Sequence, residues 1–428
     1  MQKIVNPKKG DWKSILKRPT QTVAEIEKTV NEIFREVEQD GDSVVKRYTE
    51  KFDGVTLSDL KVAKQEIEEA KKLISLELKD AIELAKSNIE TFHKAQRTAK
   101  VEVETTDGVL CWQEKRPIQK VGLYIPGGTA PLFSTILMLA IPAKLAGCKE
   151  IVLCSPPNAE GKINPAILYT AALCGVTQIF KVGGIQAIAG MTFGTESIPQ
   201  VYKIFGPGNQ FVTVAKQIAT KHGVAIDMPA GPSELLVVAD DTADAAFVAS
   251  DLLSQAEHGI DSQVILVSTS KDLIDAVAQE VDKQIEALAR KEIAQKAINN
   301  SKLIYMENDR VAIDLINEYG PEHYIVCVEN EGFYVDNTFN AGSVFIGNYT
   351  PESAGDYASG TNHTLPTNGY AKQYSGVNLD SFMKSMTYQK ISKEGIRNIG
   401  SAIEIMAEAE GLQAHKNAVT LRLESLKE

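Results

Sequence analysis

The pattern of hydrophobic and polar positions divides the chain into a helical first hundred residues and a longer region of short apolar runs. In the first part, apolar residues recur at three- and four-residue spacing, which is typical of amphipathic helices. This spacing predicts helices at Gln21–Gln39, ending at Asp40-Gly41, and at Lys64–Gln96. We expect these helices to form a scaffold or a dimer contact and not a catalytic unit.

From Gln119 onward, short β-branched runs alternate with helical segments, and this alternation indicates parallel β-α-β units. In the first half the predicted strands are Lys120–Ile125, Glu150–Cys154, Gln178–Val182, Val201–Phe205 and Val224–Asp227. The helices predicted between them are Leu132–Ala146, Pro165–Cys174, Ile185–Thr192 and Gln210–Lys221.

A second α/β half follows the turn-forming residues near Asp227–Ser233. Its predicted strands are Leu235–Ala239, Gln263–Val267, Leu303–Tyr305, Tyr324–Val328 and Ser343–Ile346. Its predicted helices are Ala243–Ala256, Lys271–Ile298 and Asp309–Tyr319. From Glu394 the pattern returns to helix, so we expect a small helical unit at the C-terminal end.

Composition narrows the class of protein. The 428 residues exceed one typical domain, and 43% hydrophobic with 24% charged residues is an ordinary globular balance. A formal charge of −11 argues against a nucleic-acid binder, which needs a basic face. No apolar run reaches the ~18 residues of a membrane span, and the N-terminus has no signal-peptide pattern. Five isolated cysteines without CxxC indicate a reducing compartment, so we expect a cytoplasmic protein.

Three glycine-rich turns follow predicted strands, in YIPGGTAP, KVGGIQA and FGPGN. None is the GxGxxG fingerprint of dinucleotide-binding domains, and each turn alone is ordinary in an α/β protein. In the last turn, Asn209 is placed to cap a helix whose free amides would hold a phosphate or a polar cofactor group.

Two residue pairs stand out in the second half. Gln255 and His258, in SQAEHG, are three apart on one predicted helix face, beside a helix stop at Gly259. Glu322 and His323 are adjacent in GPEH, where a loop enters a predicted strand.

Two further histidines follow acidic residues toward the C-terminal end. His363 lies seven residues after Asp356, and His415 lies five after Glu410, with Gly411 placed to break the helix between them. Each histidine alone is more often structural, no local zinc motif is present, and HExxH is absent. From the residues alone we infer a cytosolic two-domain α/β enzyme, with the presence of a metal left open.

The same segments form a continuous series of longer motifs from about Lys115 to the C-terminus. They read VGLYIPGGTAPLFSTILM, KVGGIQAIA, KIFGPGNQFVT, IDMPAGPSE, SDLLSQAEHG, GPEH, AGSVF, GDYASGTNHTLPT and EGLQAHKNAV. In this order and without a missing motif, the series resembles the histidinol dehydrogenase family. The first hundred residues fit the family in length and helical character only.

The resemblance implies a homodimeric zinc enzyme that oxidises L-histidinol to L-histidine through the aldehyde, with two NAD reduced in succession. It implies one zinc ion per subunit and two incomplete Rossmann-like domains. The implied division is a helical region at 1–115 packing with the second α/β domain, an NAD-binding domain at 116–230, a domain with metal and catalytic residues at 231–378, and a C-terminal unit at 379–428 that completes the active site. The resemblance also suggests that this tail completes the site of the partner subunit.

The family's functional residues carry over residue by residue. The implied metal ligands are Gln255, His258, Asp356 and His415, and the implied catalytic pair is Glu322 and His323. Substrate contacts would be Ser233, Gln255, His258, His323, Asp356, His363, Glu410 and His415. Cofactor contacts would be Tyr124, Gln186 and Asn209, each beside one of the glycine turns, so the absence of GxGxxG is no departure from this family.

These residue types suit the implied chemistry. His323 would act as a base near neutral pKa, and Glu322 would activate the water that adds to the aldehyde. A thiohemiacetal route would need a reactive cysteine, and no cysteine lies in an electropositive motif.

Two alternatives remain: a related zinc and NAD alcohol dehydrogenase acting on another small alcohol, such as a sulfonated diol, and a non-catalytic zinc-binding oligomer. Glu410 and His415 argue against the first, and the intact Glu322–His323 pair argues against the second.

Overall fold

The computed structural model describes residues 1–19, 24–127 and 131–427. The strands are β1 (Gln2–Val5), β2 (Val101–Thr106), β3 (Val109–Pro117), β4 (Lys120–Tyr124), β5 (Glu150–Ser155), β6 (Gln178–Lys181), β7 (Lys203–Phe205), β8 (Ala225–Ile226), β9 (Glu234–Ala239), β10 (Gln263–Ser268), β11 (Lys302–Tyr305), β12 (His323–Cys327), β13 (Ser343–Ile346) and β14 (Met383–Ile391).

The α-helices are α1 (Trp12–Ile15), α2 (Ala24–Asp53), α3 (Lys64–Leu73), α4 (Leu76–Ala95), α5 (Phe133–Ala146), α6 (Pro165–Cys174), α7 (Gly184–Phe193), α8 (Gln210–Lys221), α9 (Ala245–Ala256), α10 (Lys271–Gln284), α11 (Lys291–Asn299), α12 (Asp309–Tyr319), α13 (Glu331–Asp336), α14 (Glu352–Tyr357), α15 (Lys393–Ala409) and α16 (Gln413–Glu424). None of the helices that the structure describes combines the length and the apolar character needed to span a membrane.

The chain divides into two compact units, and the first comprises Met1–Gln96 and Ile118–Phe382. It contains two sheets in which every pairing is parallel. One has the strand order β6-β5-β4-β7-β8, and the other has the order β1-β11-β10-β9-β12-β13. The α/β class predicted from the alternation of apolar runs and helices is therefore confirmed.

The inner strands β9, β10 and β12 of the six-stranded sheet are buried on both faces, which explains their nearly continuous apolar sequences. In β9, Leu235 and Val237 pack into one hydrophobic cluster, whereas Leu236 and Val238 pack into another. This alternation follows from the two-residue repeat of a strand. The five-stranded sheet packs against α2, whose Ile33 joins the same cluster as the strand residues of that sheet.

The second unit, Arg97–Pro117 with Met383–Glu428, contains the antiparallel sheet β14-β3-β2 and the helices α15 and α16. β14 pairs along its whole length with β3, from Met383 opposite Pro117 to Ile391 opposite Val109. The third strand of this sheet, β2, is exposed along its whole length. The sequence pattern did not predict this sheet, nor the short strand β1 at the edge of the six-stranded sheet.

Three predicted helices differ from the observed ones. The segment from Gln21 to Val23 lies outside the described residues, and α2 continues past a kink at Gly41 to Asp53. The predicted helix at Lys64–Gln96 is two helices, because the Ser75 side chain caps α4 by accepting from the Leu78 N–H. The predicted helix at Lys271–Ile298 is likewise divided into α10 and α11. The predicted four-part domain division stays a prediction.

Candidate active site

A cleft of about 1310 Å³ in the first unit is lined by most of the residues singled out from the sequence. They are Tyr124, Gln186, Asn209, Ser233, Gln255, His258, Glu322, His323, Asp356 and His363. Part of the first glycine-rich turn, residues 128–130, lies outside the described residues. No cysteine is among the described residues that line this cleft.

The two sheets contribute opposite strand ends to the cleft. Tyr124 ends β4, and Asn209 follows β7, so the five-stranded sheet presents its carboxyl ends, as parallel α/β sheets normally do. In the six-stranded sheet, Ser233 precedes β9 and His323 begins β12. The second sheet therefore contributes the amino ends of its strands, a placement that the usual rule does not predict.

The backbone of Glu234 contacts both members of the Glu322–His323 pair. The Glu234 N–H donates to Glu322 Oε2 at 2.8 Å, and the Glu234 carbonyl oxygen lies 3.3 Å from His323 Nδ1. A carbonyl oxygen only accepts hydrogen bonds, so this contact requires a proton on Nδ1. In the neutral ring the lone pair is then on Nε2, which is buried and has no hydrogen-bond partner in the part of the chain that the structure describes.

Three carboxylates surround the His323 ring. Nδ1 lies 3.7 Å from oxygens of both Glu322 and Glu352, and Nε2 lies 3.5 Å from Asp356 Oδ1. Burial alone would lower the pKa of His323, but the neighbouring charges of Glu352 and Glu322 raise it well above its usual value. Burial, with the nearby carboxylates, raises the pKa of Glu352 to about 8.

This arrangement fits a divalent cation. The metal-binding atoms of His323, Glu352 and Asp356 all lie within 4.8 Å of one another, and oxygen and imidazole nitrogen are suitable zinc ligands. Of these three, only Asp356 belongs to the ligand set implied by the resemblance. Sequence reasoning missed Glu352, although it stands four residues before Asp356 on α14 and therefore shares a helix face with it.

The remaining candidates around this cluster differ in their surroundings. Gln255 is buried, with its amide between Glu322, Glu352 and the N–H of Glu234, whereas His258 is exposed. His363 has partners at both nitrogens: Nδ1 contacts the Asp356 carbonyl at 2.8 Å, and Nε2 contacts Thr135 Oγ1 at 3.1 Å. Burial lowers the pKa of His363.

Each predicted cofactor contact has a distinct local role. Asn209 is the N-cap of α8, as predicted: its side chain accepts a hydrogen bond from the Val212 N–H. The Tyr124 hydroxyl accepts from the Gly184 N–H at 3.1 Å, and burial raises the pKa of Tyr124 to about 12. Gln186 is fully buried, and neither atom of its side-chain amide has a hydrogen-bond partner among the described residues.

A buried ion pair holds the FGPGN turn next to the cleft. Lys216 Nζ lies 2.5 Å from Asp227 Oδ1 and donates to the Gly206 carbonyl at 2.7 Å. The Gly206 N–H donates to Asp227 Oδ2 at 2.8 Å. Gly206 has a φ of +126°, and a Cβ there would lie 2.1 Å from the Tyr124 carbonyl oxygen, so only glycine fits.

At the end of α2, Asp53 also lines the cleft, together with Phe52. One carboxylate oxygen of Asp53 is buried and has no hydrogen-bond partner within residues 1–19, 24–127 and 131–427, and burial raises the pKa of this group to about 6. Neither residue was singled out from the sequence, because both lie beyond the end of the predicted helix Gln21–Gln39, in the first hundred residues that were expected to form a scaffold.

Glu410 and His415 belong to the second unit. Glu410 caps the end of α15, Gly411 follows with a φ of +73°, and His415 lies in the first turn of α16. The predicted break at Gly411 is therefore present. Both side chains are exposed in the single chain.

The family model for histidinol dehydrogenase matches residues 16–423. A histidinol dehydrogenase of Bacteroides thetaiotaomicron is 59% identical over 427 residues, which cover 100% of both chains. One from Escherichia coli strain K12 is 53% identical over 429 residues and 98% of each chain. The crystal structure of histidinol dehydrogenase from Elizabethkingia anophelis is similar at a TM-score of 0.98 and 56% identity, over 100% of this chain and 99% of that one.

Proposed function

This chain belongs to the histidinol dehydrogenase family of oxidoreductases, and from that membership we propose that it oxidises L-histidinol to L-histidine through L-histidinaldehyde, with two NAD reduced in succession. The observation that carries the proposal is that one cleft is lined by the pair Glu322–His323, by the implied metal ligands Gln255, His258 and Asp356, and by the three implied cofactor contacts. This would be the last step of histidine biosynthesis, and the protein would work in the cytoplasm.

His323 is the general base for the alcohol. A cation bound at Asp356 would offset the carboxylate charge that raises the pKa of His323 and would so leave the ring neutral. With Nδ1 bound to the Glu234 carbonyl, Nε2 is the nitrogen that takes the hydroxyl proton as the carbon is oxidised. The buried position of the ring keeps bulk water away from this proton transfer.

Glu322 acts between the two oxidations. The aldehyde must add water before it can be oxidised again, and a carboxylate beside the base is suited to take a proton from that water. The Glu234 N–H bound to Oε2 fixes the direction of the carboxylate. His323 releases the proton from the first oxidation to solvent and then takes a proton from the hydrate in the second oxidation.

Gln255, His258 and Asp356, with His415 of a partner subunit, are the proposed zinc ligands. A bound zinc ion would orient the substrate by its imidazole and amine and would reduce the mutual repulsion of the carboxylates. Ser233 and His363 border the same substrate space, and Glu410 of the partner subunit would meet the substrate amine. Tyr124, Gln186 and Asn209 are the proposed contacts of NAD, which accepts the hydride in each oxidation.

We test the proposal by counting NADH molecules formed per histidinol consumed by the purified protein. Two NADH per histidinol would establish the four-electron reaction. A sulfonated diol and other small alcohols are the comparison substrates. Turnover of one of these in preference to histidinol, or a count of one, would contradict the proposal.

A further inference from the structure

We infer that Arg18, through its ion pair with Glu234, is a positioning residue for the Glu322–His323 pair. The inference rests on the proposed function, because it assigns Glu322 and His323 the chemical roles given above. Neither Arg18 nor Glu234 is among the described residues that line the cleft, so their effect on the reaction is indirect.

The first observation is the geometry of the ion pair. Arg18 Nε lies 2.5 Å from Glu234 Oε1, and Arg18 Nη2 donates to Glu234 Oε2 at 2.8 Å. The Glu234 side chain is 1% exposed and that of Arg18 is 13% exposed, so water does not compete effectively for this two-point contact. Two parallel hydrogen bonds between a planar guanidinium and a carboxylate fix the orientation of the carboxylate as well as its distance from the arginine.

The second observation is that Arg18 also binds the segment that leads to the catalytic pair. Its Nη2 donates to the Tyr319 carbonyl at 2.8 Å, and its guanidinium lies 4.0 Å from the centre of the Tyr319 ring. Tyr319 ends α12, and only Gly320 and Pro321 separate it from Glu322. Arg18 therefore joins the first residue of β9 to the turn before β12.

The third observation links this junction to the reacting groups. The N–H of Glu234 binds Glu322, and its carbonyl oxygen binds His323 Nδ1. The backbone of one residue therefore fixes the orientation of both side chains. The side chain of that same residue is held by Arg18 and also by the Asn368 N–H, which donates at 2.5 Å to Oε1, the oxygen that Arg18 Nε contacts. A rotation of the Glu234 backbone would thus misdirect the base and the water-activating carboxylate together.

The test compares Arg18→Met, Arg18→Lys and the neighbouring control Lys17→Met, which removes the same charge from an exposed side chain. We expect Arg18→Met to lower kcat by about 10²-fold, the size of effect that small misplacements produce. Arg18→Lys keeps the charge but loses the two-point contact, so its loss should be intermediate. Lys17→Met should behave as the wild type.

Several readouts separate positioning from general stability. KM for histidinol and NAD affinity should stay within about twofold of the wild type, since Arg18 touches none of the proposed substrate or cofactor contacts. Zinc content is measured as well, because the Glu234 N–H also lies beside the amide of the proposed ligand Gln255. The primary isotope effect on kcat with histidinol deuterated at the reacting carbon should be fully expressed in Arg18→Met, because the slowed chemical step then limits turnover. Rates are normalised to folded, zinc-loaded protein.

The wild-type NADH count tests the proposed function, and the variants test the positioning role. If the wild type yields two NADH per histidinol but Arg18→Met has the kcat of Lys17→Met, the positioning role is wrong. It is equally wrong if kcat falls in Arg18→Met and no primary isotope effect on kcat is expressed. Should Arg18→Met fail to fold, Arg18→Lys decides by the same two criteria.

Discussion

His323 and Asp356 face each other with 3.5 Å between Nε2 and Oδ1, while the opposite nitrogen of the ring is held by the Glu234 carbonyl. Nε2 is therefore both the candidate proton acceptor and a neighbour of a proposed metal ligand. The base and the metal would act on the same end of the substrate. Variants must therefore separate the loss of proton transfer from the loss of metal binding.

The roles of Glu322 and His323 differ in the step that each serves. His323→Ala should slow both oxidations, by roughly 10²–10⁴-fold for loss of a general base. Glu322→Gln should spare the alcohol step and slow the aldehyde step, because it removes the carboxylate but keeps the shape. Single-turnover NADH formation, started separately from histidinol and from histidinaldehyde, measures each step. The control is Glu329→Gln, an exposed glutamate after the same strand. Equal slowing of both steps by Glu322→Gln would rule out the water-activating role.

Metal removal should abolish turnover, and His258→Ala should lower both the zinc content and the rate. Glu352→Gln is the informative comparison, because Glu352 lies in the cluster with His323 and Asp356 but outside the proposed ligand set. We expect Glu352→Gln to retain zinc, as measured by metal analysis of the purified protein. Zinc loss in Glu352→Gln but not in His258→Ala would move the metal site to that cluster.

The Lys216–Asp227 pair should matter for NAD. Lys216→Met removes the charge-assisted bond to the Gly206 carbonyl, so NAD affinity should fall about tenfold, the equivalent of roughly 1.5 kcal/mol. Binding is measured by calorimetry without substrate, alongside thermal unfolding. Lys221→Met removes an exposed lysine from the same helix and should change neither quantity. Unchanged NAD affinity in folded Lys216→Met would contradict this prediction.

Asp53 should make stability depend on pH. Burial raises its folded pKa to about 6 from an ordinary 3.8, so the folded state loses stability as pH rises between these values. Asp53→Asn should therefore raise the free energy of unfolding above pH 6, by about 1 kcal/mol after allowance for solvent screening of this half-buried group. The gain should vanish near pH 4. Denaturant unfolding at both pH values measures the change in free energy, and the exposed Asp59→Asn is the control. An equal gain at pH 4 would show that the titration of Asp53 is not its cause.

Sharing of the active site between subunits has a direct test. A protomer with His415→Ala and one with Glu322→Gln are each expected to be nearly inactive in the full reaction. If the C-terminal unit completes the partner's site, a heterodimer has one site with both defects and one intact site. Random mixing should then restore about a quarter of wild-type activity in a twofold-symmetric dimer. No recovery after verified subunit exchange would show that each chain builds its own site.

The sequence predicted what local patterns control. Continuous apolar runs indicated the two parallel sheets, and Asn209 before an amphipathic segment indicated the cap of α8. It did not predict the antiparallel sheet, because β3 pairs with β14 across most of the first unit and neither strand is strongly apolar. Arg18 was missed for a related reason: its partners, Glu234 and Tyr319, are more than two hundred residues away. Interactions at such separation leave no periodic signal near the residue itself.

The second unit is assembled from two distant stretches of chain, and this has a consequence during synthesis on the ribosome. β2 and β3 emerge early, but β14, the strand that covers the other side of β3, is made only after the whole first unit. Until then β3 has an open hydrogen-bonding edge, which is a site for incorrect pairing with other chains. Nascent chains stalled before Met383 should therefore depend on chaperones more strongly than chains released at full length.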